Sequence, residues 1–325
     1  MLINCFKHGF VKLTPLHIAA LNGSLDVVVD LLKNGADIDA EVTANGARPL
    51  LCAIYSDSKK MVRLLMENGA KIELYGDYCE YDENDEKIEM TNAEKVVCYA
   101  AARGKIKVLK MMLDNGTQLK DNFLVYVAAA NGFEEILHLF LKSGINIGLP
   151  IRRGPQYRPV LEAVSCGYSS IVKLLLENGA DPEPDVYDMD DVDHSPLHIA
   201  VQQNDILTAW SLIQHGADIN NIAEWDEGKA PLYYAVQERN IHMIRLLIAC
   251  NADFNNYATD DLITPLHLAI ANEDSLAIEA LVQNGAKCEN RFTDRDSPMD
   301  MVLKKEKVNG FKIFLYQMHC LNPLG

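Results

Sequence analysis

The sequence has no apolar stretch of the roughly 18–20 residues that a membrane-spanning helix requires. Its opening residues, Met1 to Leu13, lack an apolar core followed by a small-residue cleavage site, so no secretory signal is expected. Basic residues are scarce: 30 lysines and arginines face 46 aspartates and glutamates, for a net charge of −16. That balance opposes nucleic-acid phosphates and, equally, anionic membrane surfaces. Eight cysteines are present, yet no two form a CxxC pair. Several, such as Cys52 and Cys98, sit inside apolar runs, where a thiol behaves as a small hydrophobe. This placement favours a reducing, cytoplasmic setting over a disulfide framework.

Signatures of catalysis and metal binding are missing too. There is no glycine-rich phosphate loop, GxSxG elbow or HExxH helix. His194 stands four residues before His198, but Pro196 breaks any helix that could aim both at one metal. The acidic run ending at Asp193 invites a calcium reading. Counted from Asp188, however, Asp193 and Ile199 fall where an EF-hand loop needs glycine and glutamate. No catalytic residue, metal or cofactor is assigned, and the protein is not expected to be an enzyme.

What the sequence does have is repetition. An apolar run ends again and again in Asn-Gly-Ala or a relative, as in LLKNGAD (31–37), LLLENGAD (174–181) and ALVQNGA (280–286). Successive loop residues are Gly35, Gly69, Gly116, Gly144, Gly179, Gly216, Asn251 and Gly285, spaced by 34, 47, 28, 35, 37, 35 and 34. Asn251 replaces glycine as the next best residue for a left-handed helix cap. A second phrase opens the units. Thr14-Pro15-Leu16-His17 and Thr264-Pro265-Leu266-His267 are full TPLH motifs, and Ser195-Pro196-Leu197-His198 is a near copy. The hydroxyl residue caps a helix, and proline fits the first turn, where its missing N–H has no partner. Arg48, Lys95, Phe123, Arg158 and Ala230 stand where the capping residue is expected, so those helix starts are expected to be weaker.

Three TPLH-type motifs and eight loops in register resemble the ankyrin-repeat family, over nearly the whole chain. The resemblance implies an all-α solenoid of about nine helix-turn-helix units with β-hairpin fingers between them. The expected layout is a half-repeat cap at 1–13, repeats over 14–295, a capping repeat at 296–317 and a tail at 318–325. The TPLH histidines His17, His198 and His267 are read as structural.

Departures from the repeat point to function. The 47-residue interval holds an insert at about 75–90, in which Asp77 to Glu89 carry seven acids and one lysine. Asp181 to Asp193 carry seven acids and no base, and the two segments together hold −13 of the net −16. Aromatics stand among these acids. The candidate binding residues are Tyr78, Tyr81, Asp82, Glu83 and Asp85 in the first segment, and Tyr187, Asp188, Asp190 and Asp191 in the second. Trp225, Asp226 and Glu227, and then Tyr257 and Asp260, extend the set into two further connections. Such a surface suits a basic, partly apolar protein segment, with charge steering and aromatics anchoring.

The reading is therefore an adaptor or inhibitor, monomeric when free, that binds a protein partner with a basic segment. The resemblance extends to inhibitors that mask basic localisation signals, and to effectors that intracellular bacteria and viruses deliver to the host cytosol. One alternative is a structural spacer or recruiting arm whose acidic loops only keep it soluble. A methyl-lysine reader built on Trp225 is another.

Overall fold

A computed structural model describes residues 13–42, 47–72, 91–117, 122–147, 158–183, 195–222, 228–256, 263–289 and 296–305. The chain divides into two compact units, Met1–Pro159 and Val160–Gly325. The first unit holds α1 (Pro15–Asn22), α2 (Leu25–Lys33), α3 (Pro49–Tyr55), α4 (Lys59–Glu67), α5 (Asn92–Ala102), α6 (Ile106–Asp114), α7 (Phe123–Ala130) and α8 (Glu134–Lys142). The second begins with α9 (Pro159–Ser165) and α10 (Ser169–Glu177). It continues with α11 (Pro196–Gln202), α12 (Ile206–Gln214), α13 (Pro231–Gln237), α14 (Ile241–Ala249), α15 (Pro265–Ala271), α16 (Ser275–Gln283) and α17 (Pro298–Lys305). Among the described residues this gives eight helix pairs and one further opening helix, with no β-strand. Isolated bridge residues occur at Lys229 and Ile263. The half-repeat expected before Leu13, and the chain beyond Lys305, lie outside the described residues.

The two helices of a pair differ because their surroundings differ. In the first unit α1, α3, α5 and α7 pack in succession, each on the next, and α2, α4, α6 and α8 do the same. A first helix is thus covered on nearly every side, and α3 buries every residue from Pro49 to Ile54. A second helix keeps one face in water. In α4, Met61, Val62 and Leu65 are buried while Lys59, Lys60, Arg63 and Glu67 are exposed. This is the stripe expected of an amphipathic surface helix. The second unit repeats the plan, with α11, α13, α15 and α17 in one row and α10, α12, α14 and α16 in the other.

Caps and turns set the helix ends. All eight loop residues adopt positive φ, from 68° at Asn251 to 101° at Gly285. Asn251 does the work of the glycines, as expected of a residue that tolerates the left-handed region. Two expected helix starts are corrected. Lys95 lies inside α5, which begins three residues earlier behind Thr91, and Thr91 and Glu94 form a reciprocal capping box. That start is therefore a strong one. Phe123 is the first residue of α7, behind Asn122, which makes no side-chain cap bond. Arg48 and Ala230 occupy the cap position as expected and make no side-chain bond there.

The TPLH histidines tie each repeat to the next. A backbone carbonyl only accepts, so the bond from His17 Nε2 to Ala47 O, 3.0 Å long, puts the proton on Nε2. Nδ1 then accepts from the Thr14 hydroxyl at 2.7 Å. His198 repeats this with Ser195 (2.9 Å) and Lys229 O (3.0 Å). His267 does so with Thr264 (2.8 Å) and Asp296 O (3.2 Å). The His198 ring also meets Tyr234 of the following repeat edge-on, with centroids 5.6 Å apart. The structural role expected for these imidazoles therefore extends from the turn to the neighbouring repeat.

Burial holds His17 below its ordinary value of 6.5, while its bonds to the Ala47 and Ala40 carbonyls pull the other way. A buried base with a lowered folded value leaves stability intact above about 6.5, and stability is lost as the pH falls below that. Urea titrations of the wild type and of a His17→Gln variant from pH 7.5 to 5 should converge on acidification. Parallel curves would show that this imidazole carries no pH dependence.

Candidate binding surface

Each second helix runs past its loop residue into a connection, and these connections carry the candidate residues. Their starting ends are built to one rule. Asp37, Asp181, Asp218 and Asp253 each accept, through Oδ1, the N–H of the residue two places on, at 2.8–3.0 Å. That residue then reaches forward. Asp39 accepts from Lys71 N–H (2.8 Å), Asn220 from Asp253 N–H (2.7 Å) and Asn255 from Lys287 N–H (2.9 Å). A rung of short polar side chains thus fixes where neighbouring connections leave the helices.

Glu183 keeps the rung, with the Asp218 N–H toward its carboxylate, but strains it. It occupies the place of Asp39, Asn220 and Asn255 but is one methylene longer. Its Oε2 accepts from Asn221 Nδ2 at 3.0 Å, whereas Oε1 is buried without a hydrogen-bond partner. Burial, with the nearby charges of Asp218 and Asp181, pushes its carboxyl up to about 7. The Asp218 N–H and the Asn221 amide oppose that rise without cancelling it. A carboxyl raised from 4.5 to about 7 lends stability below 4.5 that is lost as the pH rises through 7. Glu183→Asn is therefore expected to raise stability at pH 8 by about 1 kcal/mol, discounted for partial solvation. Most of that gain should vanish at pH 5, as read from urea midpoints at the two pH values. A gain equal at both would trace the effect to shape alone.

The ends of the long insert meet at Asn92. Its Oδ1 accepts from Ile72 N–H (2.9 Å) and its Nδ2 donates to Ala70 O (2.9 Å), so the chain leaves and re-enters the stack at one place. Val42 N–H likewise donates to Ala47 O across the first connection (3.3 Å). The candidate residues themselves lie outside the described residues. Tyr78, Tyr81, Asp82, Glu83 and Asp85 fall in 73–90, and Tyr187, Asp188, Asp190 and Asp191 in 184–194. Trp225, Asp226 and Glu227 fall in 223–227, and Tyr257 and Asp260 in 257–262.

Other exposed groups escaped the sequence reading. On α12, Leu207 is 76% exposed and Trp210 46%, one helical turn apart. Asp26, Lys60, Lys107 and Glu135 hold the place of Leu207 in other repeats, so an apolar residue at a water-facing position was the available signal. Cys52, Cys98, Cys166, Cys250 and Cys288 form no disulfide, and burial pushes Cys52 up to about 12. Among the described residues no group of histidine, cysteine or carboxylate side chains could hold a metal ion, and no helix is long and apolar enough to cross a membrane.

Helix pairs stacked in register, joined by connections of varying length, make a repeat scaffold that presents surfaces for association. Comparison with known proteins gives the class. The family described as Ankyrin repeats (3 copies) matches residues 2–76, 97–188, 126–223 and 197–292. The chain belongs to the ankyrin-repeat family, whose repeats mediate protein–protein interaction and are generally non-enzymatic. It is 30% identical over 108 residues to the mouse B-cell lymphoma 3 protein homolog, covering 33% of this chain and 21% of that protein. It is 28% identical over 227 residues to mouse Ankyrin repeat and SOCS box protein 16, covering 65% of this chain and 46% of that one. With human Transient receptor potential cation channel subfamily A member 1 it shares 24% over 182 residues, covering 53% and 15%. The chain thus spans less than half the length of each of these relatives.

Proposed function

We propose that the protein is an adaptor or inhibitor, monomeric when free and cytoplasmic, that grips a basic, partly apolar segment of another protein. The observation that carries the reading is the local density of acid. Two connections hold −13 of the net −16, and tyrosines stand inside both. Acid spread evenly over the surface would serve solubility alone. Acid gathered in the connections, beside Tyr78, Tyr81, Tyr187, Trp225 and Tyr257, matches a basic chain that carries apolar side chains. The charges bring the segment in and select it, and the aromatic faces supply most of the affinity. Membership of a family whose repeats bind proteins supports the general role.

The test is a titration of a labelled peptide of mixed lysine, arginine and leucine against the full chain, at several salt concentrations. The same titration is run on a variant whose acids at 77–89 and 185–193 are replaced by amides. Tight, salt-sensitive binding that the variant loses supports the reading. Equal binding by both proteins sinks it and leaves the acids as a solubility device.

A further inference from the structure

The outward faces of α2 and α4 enclose a concave space of about 420 Å³. Leu25 and Val29 of α2 and Leu64 of α4 give it an apolar lining, and all three are only partly covered by the chain itself. The rim is basic. Lys59, Lys60 and Arg63 stand exposed along α4, with one acid, Glu67, at the far end of the same helix. The basic face continues onto the next helix in the row, where Lys107 and Lys110 of α6 occupy the places of Lys60 and Arg63 and are likewise exposed.

Five cations on two adjoining helices are notable in a chain of net charge −16. None of the five is in an ion pair or hydrogen bond with another described residue. Elsewhere Arg48 pairs with Glu41 and Lys173 with Glu177. Asp26 and Asp30 stand exposed on α2, so the like charges that repel one another, and that an anion would screen, are those of α4 and α6.

We propose that this face docks an acidic amphipathic helix of a partner protein. The partner's leucines would seat between α2 and α4, and its glutamates or aspartates would meet Lys59, Lys60, Arg63, Lys107 and Lys110. The cations of α4 and α6 select an anionic partner, and the apolar lining of Leu25, Val29 and Leu64 selects one with apolar side chains along one face. Spacing of neighbouring helices by roughly 10 Å makes the strip across α2, α4 and α6 about 20 Å wide. A helix of about 14 residues spans that distance. A protein segment fits better than a membrane because the lining is concave, and because the net charge of the whole chain opposes an extended anionic sheet. At physiological salt, screening over about 8 Å leaves the local cations to decide what a short segment feels. The surface shares no residue with the acidic connections, and the proposal does not rest on the function proposed above.

The test uses a fluorescein-labelled peptide of about 14 leucine and glutamate residues, with leucines at i, i+3, i+4 and i+7. It is titrated against the full chain by fluorescence anisotropy. Saturable binding is expected, weakened about tenfold in a Lys60→Glu/Arg63→Glu variant and comparably in Val29→Glu. Circular dichroism and urea midpoints confirm that each variant is folded. The charge variant changes only exposed side chains and so keeps the test meaningful if Val29→Glu fails to fold. A peptide of the same composition in scrambled order should bind at least about fivefold more weakly, because its leucines no longer share a face. Equal affinity of wild type and charge variant overturns the proposal, as does equal affinity for the scrambled peptide. Binding to phosphatidylserine vesicles that the peptide fails to displace overturns it in favour of a membrane surface. All variants keep the acids of 77–89 and 181–193, so failure here leaves the acidic-connection reading standing.

Discussion

Phe140→Ala is expected to lower the stability of the first unit by about 3–5 kcal/mol, the usual range for emptying a fully buried aromatic site. Phe140 of α8 is completely buried, among the bulkiest side chains so enclosed in the described residues. Its neighbours Ile136 and Leu137 on the same helix are equally covered, so little can move in to fill the space. The loss has a second consequence in a stacked array. Each repeat leans only on its neighbours, so the damage is shared with α6 and α7 before it reaches α1. Amide exchange should therefore quicken in α6 to α8 first, while a urea titration followed by circular dichroism reads the total. Val27→Ala, at a residue 50% exposed, serves as control and is expected to shift stability by less than about 0.5 kcal/mol. A Phe140→Ala loss under about 1 kcal/mol would mean that the site collapses, and that the packing described around it is wrong.

The second large effect concerns binding. Neutralising the acids of 77–89 and 185–193 is expected to weaken the hold on a basic segment about ten- to a hundredfold at low salt. Exposed ion pairs contribute about 0–1 kcal/mol each, and only some of these acids meet the partner at once. Asp181 is left alone because its Oδ1 accepts the Glu183 N–H, so removing it would disturb the scaffold as well as the charge. The gap between wild type and variant should close as salt rises toward about 0.5 M, since screening shortens the reach of every charge. Most of the change should appear in the association rate, which long-range charge governs. A gap that persists at high salt would assign the affinity to contacts other than charge.

The repeat was readable because it is enforced by backbone geometry. Loop glycines and Asn251 are needed where φ is positive, and TPLH is needed where a hydroxyl caps and an imidazole bridges. Helix starts without those residues were harder to place. Thr91 lies four residues ahead of the position that the repeat phase suggested, and its capping box with Glu94 sets the start of α5 instead. The left-handed turns at Arg239 and Glu273 gave no signal, because neither is a residue that such a turn favours, and Asn204 and Asp57, which tolerate it, stand outside the Asn-Gly-Ala phrase. The candidate acids and aromatics were visible as composition alone. Composition names a charge and leaves its arrangement open, so the groove of α2 and α4, which depends on two helices meeting, had no counterpart in the sequence reading.

The imidazole bridges also bear on how such a chain changes length over generations. Each reaches a carbonyl about one repeat ahead, 30 residues on from His17, 31 from His198 and 29 from His267. A bond of this kind is a tether, and residues inserted inside its span must bulge out without moving its two ends. Leu51, Glu94, Val125, Leu161 and Tyr233 hold the histidine's place in α3, α5, α7, α9 and α13, so those helices have no such tether. Two of them, α3 and α9, open the repeats that run on into the acidic segments, Asp77 to Glu89 and Asp181 to Asp193. Loss of a tether removes the constraint on insertion at that point. Both long acidic segments thus follow repeats in which no imidazole measures the distance to the next one, and neither lies within the span of a tether.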